Sequence, residues 1–149
     1  MNLRPATHGD RAALGELLRA CALPDDIDEQ FPVAYVVARE GDAIVGCAGL
    51  EVHGRSGLLR SVAVRASRQG AGIGRALVEE RLTSARGLER VYLLTTTTAD
   101  WFRKLGFVDT ARADAPPAIR ASSQFAGGCC ASAACLSRGP RADERRLET

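Results

Sequence analysis

Apolar and polar positions along the chain follow two periods, and their alternation sets out the elements. Residues 3–7 read as a short edge strand, since a proline on the open side of a sheet removes no ladder bond. Asp10 stands where a helix N-cap belongs, and Leu14, Leu17 and Leu18 form one apolar stripe as far as about Cys21. The acidic stretch 24–30 is expected to form a short helix or a lid-like loop. Strands are predicted at 34–39 and 43–52 around the turn Glu40-Gly41-Asp42, and a third at 58–64 after a turn at 53–57. This meander hands over, through three glycines, to a run in which Ala76, Leu77, Val78, Leu82 and Ala85 recur at helical spacing, with Glu79, Glu80, Arg81 and Arg86 on the other face. Residues 90–96 form a further strand, parallel to the one before the glycines by right-handed crossover. A helix over 99–105, capped by Thr97 or Thr98, ends at Gly106 ahead of Phe107 and Val108. A helix over 116–125 and a strand over 131–137 complete an α+β chain.

Composition narrows this picture. A chain of 149 residues suits one domain with a sizeable core, and 46% hydrophobic with 26% charged residues excludes disorder throughout. That domain is expected over 1–137, with 138–149 as a frayed, mostly charged tail. A net charge of +2 with scattered arginines implies no nucleic-acid partner. No apolar run approaches the roughly 18 residues that spanning a bilayer needs, and the first residues lack a signal-peptide core, so no membrane partner is expected and the cytoplasm is. Five cysteines, an odd number, fit a reducing compartment better than a disulfide framework.

The chemistry gathers at Arg68-Gln69-Gly70-Ala71-Gly72-Ile73-Gly74-Arg75. A strand that passes into a helix through glycines leaves free N–H groups at the helix N-terminus, an anion site that a phosphate approaches closely where Cβ atoms are missing. The P-loop is excluded, because Gly74-Arg75-Ala76 has neither its lysine nor its hydroxyl. The dinucleotide fingerprint is excluded by glycine spacing and by position in mid-chain. What remains, Gln69-x-x-Gly72-x-Gly74 after Val62-Ala63-Val64, resembles the acyl-CoA loop of the GNAT superfamily of N-acetyltransferases. Trp101-Phe102-Arg103-Lys104-Leu105-Gly106-Phe107 resembles that superfamily's second signature, aromatic-x-x-x-Gly-Phe. The resemblance runs from about residue 3 to residue 137 and implies the GNAT fold, with a mixed sheet of six to seven strands and about four helices.

Leu93-Leu94-Thr95-Thr96, Ala99-Asp100-Trp101-Phe102 and Ala115-Pro116-x-Ala118-Ile119-Arg120 look like the domain that acetylates the amino group of glutamate. Cys129-Cys130-Ala131-Ser132-Ala133-Ala134-Cys135 is similar to the C-terminus of the ArsN-type acetyltransferases found with arsenic-resistance genes. These likenesses imply acetyl-CoA as cosubstrate, no metal, and a small-molecule amine as acceptor, either a glutamate-like amino acid or an arsenic-containing or otherwise toxic analogue of one. A homodimer is an open expectation.

By the same resemblance, pantetheine would enter where the strands ending at Val64 and Thr95 splay. Backbone groups of Val62, Ala63 and Val64 would bind it, with one N–H, that of Val64, polarising the thioester carbonyl. Gln69, Gly70, Ala71, Gly72, Ile73 and Gly74 would hold the pyrophosphate, with Arg75 as a charged partner. The sequence departs from the family at Phe102, where many relatives have a proton-donating tyrosine, and at Leu59, where phosphinothricin-type relatives have a glutamate base. Glu51, read as a strand-end residue, is the candidate base acting through water, against the alternative of a solvated carboxylate. Arg60 is a charge inside an apolar strand, which requires an open sheet face or a paired guanidinium, and it is the candidate for the acceptor's carboxylate. Arg120, Thr96 and Thr97 are further acceptor candidates. A rival reading makes Cys129, Cys130 and Cys135 a thiolate site for arsenite or a soft metal on a non-catalytic scaffold.

Overall fold

The computed structural model of the chain describes residues 2–23, 33–85, 87–122, 125 and 133–139. The acidic stretch 24–30, Cys129 and Cys130, and residues 140–149 lie outside them. The elements are β1 (Asn2–Pro5), α1 (Arg11–Ala20), β2 (Ala34–Glu40), β3 (Ala43–His53), β4 (Ser56–Val64), α2 (Ile73–Ser84), β5 (Arg90–Thr95), α3 (Ala99–Lys104), β6 (Val108–Asp109), α4 (Pro117–Arg120) and β7 (Ala134–Arg138). The seven strands follow the hydrogen-bonded order β1-β2-β3-β4-β5-β7-β6. Both β1–β2 and β2–β3 are antiparallel, β4–β5 is parallel, and β7 is antiparallel to β5 and to β6, so the sheet is mixed. Among the described residues no helix is long and apolar enough to cross a membrane.

The chain resolves into two compact units, Met1–Glu51 with Leu59–Thr83, and Val52–Leu58 with Ser84–Thr149. In the first unit, β2 and β3 are covered on both faces. Leu14, Leu17 and Leu18 of α1 pack with Tyr35, Val37, Ile44, Cys47 and Ala63, whereas Ile73 and Leu77 of α2 pack with Val36, Ala38, Val45 and Ala48. Each fully buried leucine contributes on the order of 1.5–3 kcal/mol. Cover on both faces is why the buried run of β3 reads as nearly continuous rather than alternating. Its phase also slips: Ala38 pairs with Gly46 and Arg39 with Ile44, so Val45 is the extra residue of a bulge, and Ile44 and Cys47 reach the same face. A Cβ on Gly46 would lie 2.9 Å from Leu77 Cδ1 and 3.1 Å from the Ala63 carbonyl. Glycine at that position lets α2 lie close on β3, which sets the height of the helix start.

In the second unit Leu58, Tyr92, Ala115 and Ile119 form a core cluster, and β5 pairs with β7 from Val91↔Arg138 to Thr95↔Ala134. Phe102 meets the Phe107 ring edge to face at 5.6 Å and that of Trp101 at 4.8 Å, so the second signature motif is built as an aromatic packing unit. Near the C-terminus two elements end elsewhere than the sequence reading placed them. The helix expected over 116–125 is α4, ending at Arg120, where both the N–H and the Oγ of Ser122 turn back onto the Ile119 carbonyl. The last strand extends through Arg138, the residue with which the tail was expected to begin.

Asp10 precedes α1, as expected, but its carboxylate serves other partners. It accepts from the Thr7 N–H at 2.7 Å and from Arg4 Nη1 at 2.8 Å, joining β1 to the 3-10 turn before the helix. The Arg4 bond, followed by the Thr7 amide, holds this carboxyl well below its ordinary value of 3.8. A depressed folded-state value means stability that is fully present above the unfolded value and lost as pH falls through the folded one. Asp10→Asn is therefore expected to lower the melting temperature at pH 7, with the gap to the wild type closing as pH is taken below about 4. A gap that stays constant from pH 7 into that range would refute the linkage.

Candidate functional site

The end of β4 and the start of α2 are joined by a loop fixed at both sides. Arg68 makes two bonds to the carboxylate of Glu40, at 2.6 and 2.5 Å, tying the loop to the end of β2. Gln69 Nε2 donates to the Val64 carbonyl at 3.1 Å, and Arg65 N–H donates to the Val45 carbonyl at 2.8 Å. Gly70 and Gly72 then take φ of 86° and 83°, left-handed values at which a side chain is strained, although a Cβ at either would meet nothing within 4 Å. Open space around a backbone of this kind is what a bound anion needs. Gly72 O accepts from the Ala76 N–H at 3.1 Å, so the first turn of α2 closes on Gly72 and its earliest N–H groups face outward. Ile73 is buried under the helix, Gly74 sits in the first turn, and Ala71 and Arg75 are exposed. Gln69 thus anchors the loop to the strand, a bond that the spacing of the motif did not reveal.

Upstream, Val62 and Val64 are partly covered and Ala63 is buried. Two thiols hold the carbonyls of this segment. Cys47 Sγ donates to Ser61 O at 3.2 Å, and Cys21 Sγ donates to Val64 O at 3.5 Å. Burial, with Cys21 adding to the rise, pushes the Cys47 thiol up to about 12, which keeps its donor proton in place.

Glu51 and Arg60 come together. β3 runs on to His53, so Glu51 lies inside the strand rather than at its end, and its carboxylate is 1% exposed. Arg60, 5% exposed, donates from Nη1 to Glu51 Oε2 at 2.9 Å and from Nε to Ser61 Oγ at 3.3 Å. Of the two ways an arginine can sit in an apolar strand, the paired guanidinium is the one found. Tyr35 Oη donates to the same Ser61 Oγ at 3.4 Å. Neither Tyr35 nor Ser61 stood out in the sequence; the one available signal was a small polar residue inside an apolar strand, directly before Val62.

The remaining acceptor candidates belong to the second unit. Thr95 and Thr98 bond each other through their hydroxyls at 2.6 Å, and the Thr98 N–H donates to Thr95 Oγ1 at 3.1 Å, closing the end of β5. Thr96 and Thr97 are left exposed at that turn, and Arg120 is exposed at the last residue of α4. Phe102 is 6% exposed, a packing residue. Cys135 is buried in β7, and burial pushes its thiol up, which disfavours the thiolate that soft-ion binding requires. Among the described residues no three His, Cys, Asp or Glu side chains are grouped so as to hold a metal ion.

A mixed sheet with a glycine loop leading from its fourth strand into a helix is the architecture of an acyltransferase class. The family model described as Acetyltransferase (GNAT) domain matches residues 32–109, more than half of the chain, and the chain belongs to that family. It is 41% identical over 98 residues to an amino-acid acetyltransferase of Pseudomonas fluorescens, a match covering 63% of this chain and 22% of that protein. An amino-acid acetyltransferase of Pseudomonas syringae is 40% identical over 100 residues, covering 64% and 23% respectively. The chain therefore matches under a quarter of the length of these curated relatives. Among solved structures, N-acetylglutamate synthase from Neisseria gonorrhoeae, complexed with coenzyme A and N-acetyl-glutamate, superposes with a TM-score of 0.81 at 22% identity, covering 94% of this chain and 35% of that one. A Mycobacterium tuberculosis protein in complex with CoA and NLQ superposes with a TM-score of 0.73 at 22% identity, covering 95% and 100%. These two likenesses establish the GNAT fold.

Proposed function

We propose that the chain transfers the acetyl group of acetyl-CoA to the amino group of a small amino acid of the glutamate type, by direct attack in a ternary complex. The observation that carries this reading is the loop from Gln69 to Arg75: left-handed glycines with open space beside them at the start of α2, tethered to β4 by Gln69 and to β2 by Arg68. Backbone N–H groups there suit a diphosphate, and Arg75 adds a cation at the exposed rim. The names of the curated relatives support an amino acid as the acceptor.

In the reaction the neutral amine attacks the thioester carbonyl carbon, a C–N bond forms, the C–S bond breaks, and the proton lost by nitrogen balances the one gained by the thiolate. The segment Val62–Val64 lies directly before the loop, where it would run beside pantetheine, and the Val64 N–H would polarise the thioester oxygen. Positioning of the amine within about 3–3.5 Å of that carbon supplies much of the rate. Because Phe102 has no proton to give, the thiolate is protonated from solvent. Glu51, bound to Arg60, serves the acceptor end as the guanidinium's counter-charge, with proton removal from the amine passing through water.

The test is thiol release from acetyl-CoA across an acceptor panel of glutamate, aspartate, glutamine, a phosphorus- or arsenic-containing glutamate analogue and simple amines. Turnover confined to amino acids and their close analogues is expected. Coenzyme A binding without turnover on any amine would overturn the reading.

A further inference from the structure

Ser61 is the residue of β4 whose geometry the proposed reaction leaves unused. Its φ is 56°, a left-handed value that a residue carrying a Cβ rarely adopts. Three side chains hold it: Tyr35 Oη and Arg60 Nε both donate to its Oγ, and Cys47 Sγ donates to its carbonyl. One effect is to break the alternation of the strand. Arg60 and Ser61 are consecutive, yet the Arg60 Nε–H reaches the Ser61 hydroxyl at 3.3 Å, whereas a regular strand sends neighbouring side chains to opposite faces. The other effect is on the proton. A serine hydroxyl offers two acceptor sites and one donor. With the acceptor sites taken by Tyr35 and Arg60, its own O–H is left to donate outward, and the guanidinium behind it strengthens that donation. Ser61 is only half-buried, while the Arg60–Glu51 pair behind it is sealed.

We propose that the Ser61 hydroxyl donates to a carboxylate oxygen of the acceptor amino acid, so that the buried Arg60 acts on the substrate through it. Tyr35 and Glu51 are then positioning residues, Tyr35 by filling one acceptor site of Oγ and Glu51 by fixing the guanidinium. The proposal rests on the amino-acid acetyltransferase reading and names the residue that distinguishes a carboxylate from a neutral group at the acceptor.

The experiment compares the amino acid of highest turnover with its carboxamides, using wild type, Ser61→Ala, Ser61→Gly and Tyr35→Phe. Ala removes the hydroxyl and keeps the Cβ; Gly removes it while also relieving the left-handed backbone, so that at least one variant folds. Both are expected to raise KM for the carboxylate acceptor about 10- to 100-fold, as loss of a hydrogen bond to a charged group does, while KM for one carboxamide and for acetyl-CoA stays within about twofold. Tyr35→Phe should move the same ratio in the same direction by a smaller factor. Retained preference for the carboxylate in Ser61→Gly overturns the assignment, as does an equal fall in kcat on acid and amide, which would place the hydroxyl at the thioester. If the wild type releases thiol with no amino acid, the acetyltransferase reading falls first and this proposal with it; if it turns over but the variants discriminate normally, only the role of Ser61 falls.

Discussion

Gly74→Glu is expected to lose measurable coenzyme A binding while melting at the wild-type temperature or slightly above it. Gly74 lies in the first turn of α2, where a carboxylate complements the positive end of the helix by about 0.3–1 kcal/mol and where glycine is roughly 1 kcal/mol worse than an ordinary helix former. The fold thus has no reason to weaken. The same carboxylate competes for the N–H groups that a diphosphate would use and repels its charge. Losing two charge-assisted bonds of about 1.5–3 kcal/mol each implies a fall in affinity of more than about 100-fold. Calorimetry with coenzyme A and a thermal melt on one preparation decide the matter: undiminished affinity would remove the loop from the binding site, and a lower melting temperature would make it a folding element.

The second large effect is on stability. Glu51 and Arg60 are 1% and 5% exposed and joined at 2.9 Å, so either partner alone would be a buried charge without its counter-charge. Glu51→Ala and Arg60→Ala are each expected to cost about 3–5 kcal/mol. For a chain of this size that lowers the melting temperature by roughly 10 °C. The double variant Glu51→Leu, Arg60→Met, which replaces the pair with apolar side chains, should be more stable than either single variant. It should still fail to turn over a carboxylate acceptor, which separates the pair's part in function from its part in folding. Additive losses in the double variant would show that the two residues are not energetically coupled.

Local chemistry was legible where a single stretch carries its own cause. Leu14, Leu17 and Leu18 bury one stripe of α1 whatever surrounds them, and the glycines at 70 and 72 mark left-handed backbone because few other residues adopt it without strain. β4 and β5 are parallel, since the helix between them returns the chain to the end of the sheet from which β4 started. That Phe102 has no proton to donate was legible from the residue type alone, whereas its packing against Trp101 and Phe107 was not.

Other features depend on which strands lie side by side, and periodicity reports burial without naming a partner. In sequence Arg60 only calls for a partner or an open face and Glu51 reads as a strand-end carboxylate; the adjacency of β3 and β4 is what joins them into one buried pair. The extra residue at Val45 is invisible until β2 supplies a register to count against, and the position of β7 between β5 and β6 follows from pairing rather than chain order. The left-handed turn at Ser61 is the clearest case. No local propensity favours it, and it persists because Tyr35, Cys47 and Arg60, on three different strands, bond to that one residue. What the amino-acid sequence determined by itself was the family, the glycine loop and the helix stripes, because each is a short-range pattern with a steric or hydrophobic cause. The tertiary structure alone decided which buried charges neutralise each other and which side chains converge on Ser61, because both are set by strand register, to which residues distant along the chain contribute together.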